Sequence, residues 1–284
     1  MNDFEFFNKV KDKILPEHKN SFELAEKILL GSCLFGTILT DAYSLSQTRE
    51  IYESLKKLCG KFDEKPFDTF GIYCYWDFET KEILYIGLSK NLINRFSQHN
   101  NLRSKKGKGN KSLRIKDYFN KREKLGFSIL LQPPIIIEEE YIFDKDREIK
   151  VIEGAIFQSF IDQYNRLPIW NANKGDKVGR KLAIVKRYGD ILMMLNLKAP
   201  GYLNAKSTIR ELADNIEYQS LECDLNLIRS HMYQWKEPFE EVVIKIINFN
   251  NFLVSEGNIS AISSNIRLVK LLEDSYLKKV MKAL

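Results

Sequence analysis

Cysteine is scarce and scattered in this 284-residue chain: Cys33, Cys59, Cys74 and Cys223 form no CxxC pair, which argues against a disulfide framework and against a zinc ribbon. Histidine is scarcer still. His18, His99 and His231 are too few and too dispersed for a multi-histidine transition-metal site, so any metal is expected on oxygen ligands and to be a hard cation such as magnesium. Long apolar runs are missing too. The longest, Ile28 to Leu39, is interrupted by Gly31, Ser32, Gly36 and Thr37 and is too short to span a bilayer. The opening Met1-Asn2-Asp3-Phe4-Glu5 lacks a basic stretch followed by an apolar one, so no secretion signal is read and a cytoplasmic protein without a membrane partner is expected. What remains is ordinary globular usage, 44% hydrophobic and 29% charged, with no internal repeat or low-complexity tract.

Charge is unevenly placed. Between Asn101 and Gly126 stand ten Lys or Arg against two acids, Asp117 and Glu123, while the rest of the chain holds 34 basic and 36 acidic side chains. The whole positive excess of +6 therefore sits in one segment. Lys105, Lys106, Lys108, Lys111, Arg114 and Lys116 make up its densest part, a pattern suited to gripping a polyanion backbone. A solvated lysine-rich loop would read the same way, so the strip gains meaning only if chemistry lies beside it.

Residues 1–66 read as a helical N-terminal extension, with amphipathic stretches at Phe7 to Leu15, Phe22 to Leu39 and Thr48 to Leu58. Residues 67–185 mix strand and helix patterns, punctuated by Pro133-Pro134 and Pro168. Residues 186–284 read as helical again. A capping box at Thr208 and Glu211, a helix start near Pro238, a stop at Gly257 and a last helix from about Ser264 to Ala283 mark that region.

The central part carries the chemistry. Phe70 to Leu88 is an aromatic and β-branched run, a polar turn from Asp77 to Glu82, and a second apolar run: a β-hairpin. Side chains alternate along a strand, so Tyr73 and Tyr75 share one face, and Tyr85 and Gly87 share one face of the partner strand. Tyrosines favour strands in any case. Yet Gly71-Ile72-Tyr73, eleven residues, then Tyr85-Ile86-Gly87 resembles the signature of the GIY-YIG nuclease family. Further likeness follows downstream. Ser89 can cap a helix, Lys90 to Gln98, that leads Arg95 and His99 onto one face four residues apart, as in restriction enzymes of this family.

The resemblance places a single metal-binding carboxylate on a later helix. From Asp146 to Tyr164, Ile149, Ile152, Ile156, Phe157, Phe160 and Ile161 recur at helical spacing, and at about 100° per residue Glu153 falls roughly 40° from both Ile149 and Phe157. A carboxylate in a buried stripe must be paired, protonated or metal-bound. A salt bridge to Arg95 is the alternative. Past the helix, Asn165-Arg-Leu-Pro-Ile-Trp-Asn171 is similar to the family's Pro-x-Trp-Asn ending, with Asn171 chosen over Asn165 and Asn173 as the supporting amide. Two rivals are weaker. Glu148-Ile-Lys150 imitates the acid-x-Lys core of another nuclease class but falls in a helix, and Thr208 to Met232 spaces a helix-turn-helix too widely.

The resemblance, covering about residues 68–174, implies an α+β fold: a small central antiparallel β-sheet, the hairpin plus one or more strands, flanked by helices and extended by helical termini. It also implies a metal-dependent endonuclease. Glu153 would hold Mg2+, with Mn2+ able to substitute, and Tyr73 would act as general base or water-orienting group, helped by the positive charge of Lys81 or Lys90 or by a metal-ordered water. Arg95 would clamp the scissile phosphate, Tyr85 and His99 would position phosphate and water, and Asn171 would tie down Glu153 or the hairpin. Double-stranded DNA cut in the restriction manner by a homodimer, at least on DNA, is the leading expectation. The alternatives are a nonspecific or defence nuclease of DNA or RNA, and a non-cleaving nucleic-acid-binding module.

Overall fold

The computed structural model describes residues 37–60, 65–103, 111–131, 145–177, 180, 204–219, 221, 222, 225, 228, 239–255 and 257. They divide between two compact units. The larger runs through residues 36–220, and the other includes the helix Phe239–Ser255.

Five strands form the sheet of the larger unit: β1 (Thr37–Tyr43), β2 (Gly71–Asp77), β3 (Ile83–Ser89), β4 (Leu125–Leu131) and β5 (Asn204–Thr208). Their order is β3-β2-β4-β1-β5. Four strands pair antiparallel, whereas β5 lies parallel to β1, so the sheet is mixed rather than wholly antiparallel as the sequence suggested. The α+β class itself stands. Among the helices, α1 (Thr48–Leu58) presents Ile51, Leu55 and Leu58 to the interior at helical spacing. The helices α2 (Leu92–His99), α3 (Ser112–Phe119), α4 (Lys145–Tyr164) and α5 (Ile209–Ala213) also belong to this unit, and α6 is Phe239–Ser255.

β2 and β4 are buried at every residue, because both faces of the sheet are covered. On one face Tyr73 and Tyr75 stand opposite Ile129 and Phe127, and Phe96 of α2 packs 4.9 Å from Phe127. On the other face Trp76 lies over Gly126, where any Cβ would collide with the indole, and its Nε1–H donates to Ser128 Oγ at 2.8 Å. At the hairpin tip Asp77 Oδ1 accepts from the N–H groups of Glu79 and Thr80, and its Oδ2 accepts from Tyr118 Oη of α3. One carboxylate thus fixes the turn and docks a helix on it.

Two readings of the flanks need correction. The stretch Phe22 to Leu39, read as helical, ends in β1, which lies between β4 and β5 in the sheet. An apolar run fits either period, and the choice is made by Asp41. This buried carboxylate is held by Arg210, which donates to Oδ1 at 2.9 Å and to Oδ2 at 3.2 Å from 169 positions away. Residues 204–208, placed in the helical C-terminal region, form β5, whose Asn-Ala-Lys-Ser-Thr offers almost no apolar signal. The capping box of Thr208 and Glu211 is present, as is the stop at Gly257, whose φ is +94°. The stretch Phe7 to Leu15 and the helix expected at 264–283 lie outside the described residues.

Candidate active site

The hairpin pairs Tyr73 with Gly87 and Tyr75 with Tyr85. Gly87 is a close-approach position: a Cβ there would lie 2.7 Å from both the Tyr73 hydroxyl and the Tyr85 ring. Its missing side chain lets Tyr73 and Tyr85 come within 5.8 Å, ring centre to ring centre.

Helix α2 brings the cation and the imidazole to this cluster. Its N-cap is Asn91, whose Oδ1 accepts from Asn94 N–H at 2.8 Å; Ser89, expected in that role, instead accepts from Asn91 N–H. The i,i+4 spacing then aims Arg95 and His99 at one phenol. Arg95 Nε–H donates to Tyr73 Oη at 3.1 Å, and His99 Nε2 lies 3.5 Å from the same oxygen. Arg95 has no carboxylate partner among the described residues, and its terminal nitrogens make no hydrogen bond there.

Burial dominates the electrostatics. It raises the Tyr73 phenol well above its ordinary 10, Tyr85 and Tyr75 add to the rise, and Arg95 opposes it. The cation that opposes the rise is Arg95. Lys81 sits at the hairpin tip over the Trp76 and Phe78 rings, donating to Phe78 O. His99 is fully enclosed, and burial, reinforced by Arg95 and Lys111, pushes its pKa down to about 3, so it is neutral. Its Nδ1 is buried without a hydrogen-bond partner.

Glu153 projects from α4 among the buried Ile156, Phe157 and Phe160. Leu88 N–H bonds its carboxylate, which puts it beside β3, an edge strand of the sheet. No ion pair joins it to Arg95 or to any other described cation. Burial first and the charge of Asp176 second push its pKa up to about 7, against the Leu88 bond and the Lys150 charge. Asp176 follows Gly175, whose φ is +68° and where a Cβ would lie 2.6 Å from the Phe157 ring and 3.4 Å from Gly154 Cα, so the missing side chain lets the chain pass close to α4. A half-buried carboxylate that forms no ion pair with any described residue fits a divalent ion, and a single protein carboxylate would leave the ion's other positions for water and phosphate oxygen. Among the described residues no cluster of three or more His, Cys, Asp or Glu offers a rival metal site.

Asn171 bonds the same edge. Its Oδ1 accepts from Ile86 N–H at 2.9 Å and its Nδ2 donates to Ile86 O at 2.8 Å, while Trp170 N–H donates to Leu84 O. Asn165 and Asn173 are exposed and make no such contact. The amide therefore fastens the hairpin rather than Glu153.

The basic strip divides. Arg114 and Lys116 are exposed on α3, and Arg122 pairs with Asp77 and Glu79 at the hairpin turn. Lys105, Lys106 and Lys108 lie outside the described residues. Lys111 is the surprise: its Nζ donates to Trp170 O at 2.7 Å and stands 4.9 Å from the centre of the Tyr85 ring. Nothing in the sequence set this lysine apart from its neighbours.

Residues 69–158 match the family model of the GIY-YIG catalytic domain. No curated protein and no solved structure matches the chain. Among the described residues no helix is long and apolar enough to cross a membrane.

Proposed function

We propose a specific role for a chain that, through residues 69–158, carries a nuclease domain of the GIY-YIG family: it cuts double-stranded DNA at defined sequences, in the manner of a restriction endonuclease. It does so with Mg2+, for which Mn2+ can substitute, and as a homodimer at least on DNA. The observation that carries this reading is the set of groups around Tyr73 Oη, where a guanidinium without a carboxylate partner among the described residues and a neutral imidazole meet one oxygen, beside a hairpin edge at which Glu153 forms no ion pair with any described residue.

Phosphodiester hydrolysis needs an activated water, neutralisation of charge on the phosphoryl group, and a proton for the departing oxygen. Arg95 spends Nε on Tyr73, which leaves its two terminal nitrogens for a phosphate oxygen. Tyr73 orients the water through Oη and can direct its own proton toward His99 Nε2. Phosphate charge set against Arg95 removes one of the contributions that hold His99 down, so the imidazole becomes more basic as substrate arrives. A divalent ion on Glu153 would supply charge neutralisation at the leaving oxygen. Asn171 keeps the hairpin edge, and with it Tyr85, in register. The positive strip supports a polyanion substrate, and a palindromic site calls for a two-fold dimer or two visits by one copy.

Incubating plasmid DNA with the protein and Mg2+, then mapping the ends, tests the reading. Discrete bands are expected. Smearing would mean a nonspecific or defence nuclease, and intact DNA with a gel shift would mean a non-cleaving binding module. RNA degraded in preference to DNA would move the substrate class. Glu153→Gln is expected to abolish cutting while duplex binding persists; losing both would give Glu153 a folding role instead.

A further inference from the structure

Lys111 precedes α3, far from the hairpin in sequence, yet its ammonium lies over the Tyr85 ring and donates to Trp170 O. The ring face and the carbonyl account for part of its donor capacity. No carboxylate opposes it: among the described residues neither Lys111 nor Arg95 enters a salt bridge, although both adjoin the same buried aromatic cluster. Burial and the charges of Arg114 and Arg95 bring the amine below its ordinary pKa, which records how close these cations come without compensation. Two like charges gathered at a partly buried site carry a standing electrostatic cost, and an anion between them would remove it.

We infer that Lys111 is a second phosphate-contacting cation of the cleavage centre, meeting the scissile phosphate from the Tyr85 side while Arg95 meets it from the Tyr73 side. The inference rests on the nuclease reading above and assigns Lys111 a part separate from the backbone-tracking role of exposed Arg114 and Lys116. The Trp170 carbonyl fixes the direction of its stem, so the ammonium is pre-positioned, as electrostatic catalysis requires.

Three variants separate charge from attachment. Lys111→Gln keeps a donor for Trp170 O but removes the charge, Lys111→Met removes both, and Lys111→Arg keeps both. Single-turnover plasmid cleavage at saturating enzyme is expected to fall about a hundredfold in Lys111→Gln and Lys111→Met, to recover to within about tenfold in Lys111→Arg, and to stay within about twofold in Lys56→Gln, at an exposed lysine of α1 that pairs with Glu53. Melting temperatures of all four should match wild type. Wild-type rates in Lys111→Gln with loss only in Lys111→Met would overturn the inference, because the lysine would then be a structural clip. If wild type itself cuts nothing with Mg2+ or Mn2+, the nuclease reading fails separately. In that event binding of a 30-base-pair duplex in Ca2+ decides Lys111: affinity lowered more in Lys111→Gln than in Lys116→Gln supports the contact, and equal loss overturns it.

Discussion

Two arginines at opposite ends of the sheet show how differently this protein handles charge. Arg210, at the β1–β5 end, meets both oxygens of Asp41, the carboxylate of Glu50 and the carbonyl of Ala42. Arg95, at the β2–β3 end, meets a single phenol oxygen. The first is saturated and joins strands distant in sequence. The second retains unused donors next to a buried imidazole with an orphaned nitrogen, and Glu153, at the edge of the same hairpin, forms no ion pair with any described residue. Satisfied charge marks the place where the fold is held, and unsatisfied charge marks the place that awaits a ligand.

Exchanging the same substitution between the two ends tests that contrast most severely. Arg95→Met should lower cleavage about a thousandfold and leave the melting temperature unchanged. Arg210→Met should do the reverse: Asp41 is left buried with only the backbone N–H groups of Ala42 and residue 210 as partners among the described residues, at a cost of about 3 kcal/mol, or about 10 °C in melting temperature, with cutting at 20 °C within about twofold of wild type. A large loss of stability in the first or of activity in the second would erase the distinction.

Asn171→Leu should fall between these extremes, because this amide serves both fold and site. Leaving Ile86 N–H and C=O without partners should cost about 2 kcal/mol in urea unfolding and slow cutting about tenfold, whereas Asn173→Leu should change neither.

The smallest effect concerns His99. It stays neutral in the folded chain down to about pH 3 but takes a proton below about 6.5 once unfolded, so the stability it confers is complete above that value and is lost as pH falls. Between pH 7 and pH 5.5 wild type should lose about 1.3 kcal/mol more than His99→Gln. Equal losses would show that the imidazole is hydrated rather than enclosed.

The hairpin and α1 were legible because their periodicity is local: alternating strands around a polar turn, and Ile51, Leu55 and Leu58 on one helical face. Glu153 could be read for the same reason, as an acid inside an apolar stripe. β1 and β5 were not legible. A buried Asp41 makes sense only once Arg210 arrives from another part of the chain, and Asn-Ala-Lys-Ser-Thr carries no strand pattern of its own. Lys111 was hidden for a related reason. Its distinction lies in the carbonyl of Trp170, a backbone group that every residue possesses.

The fastening of Trp170 to Leu84 and of Asn171 to Ile86 has a consequence for assembly. A terminal strand normally offers a ladder of open amides and carbonyls to any passing chain, which is how sheets fuse into larger aggregates. On β3 the segment after α4 occupies those rungs. A second copy therefore cannot extend the sheet along this strand.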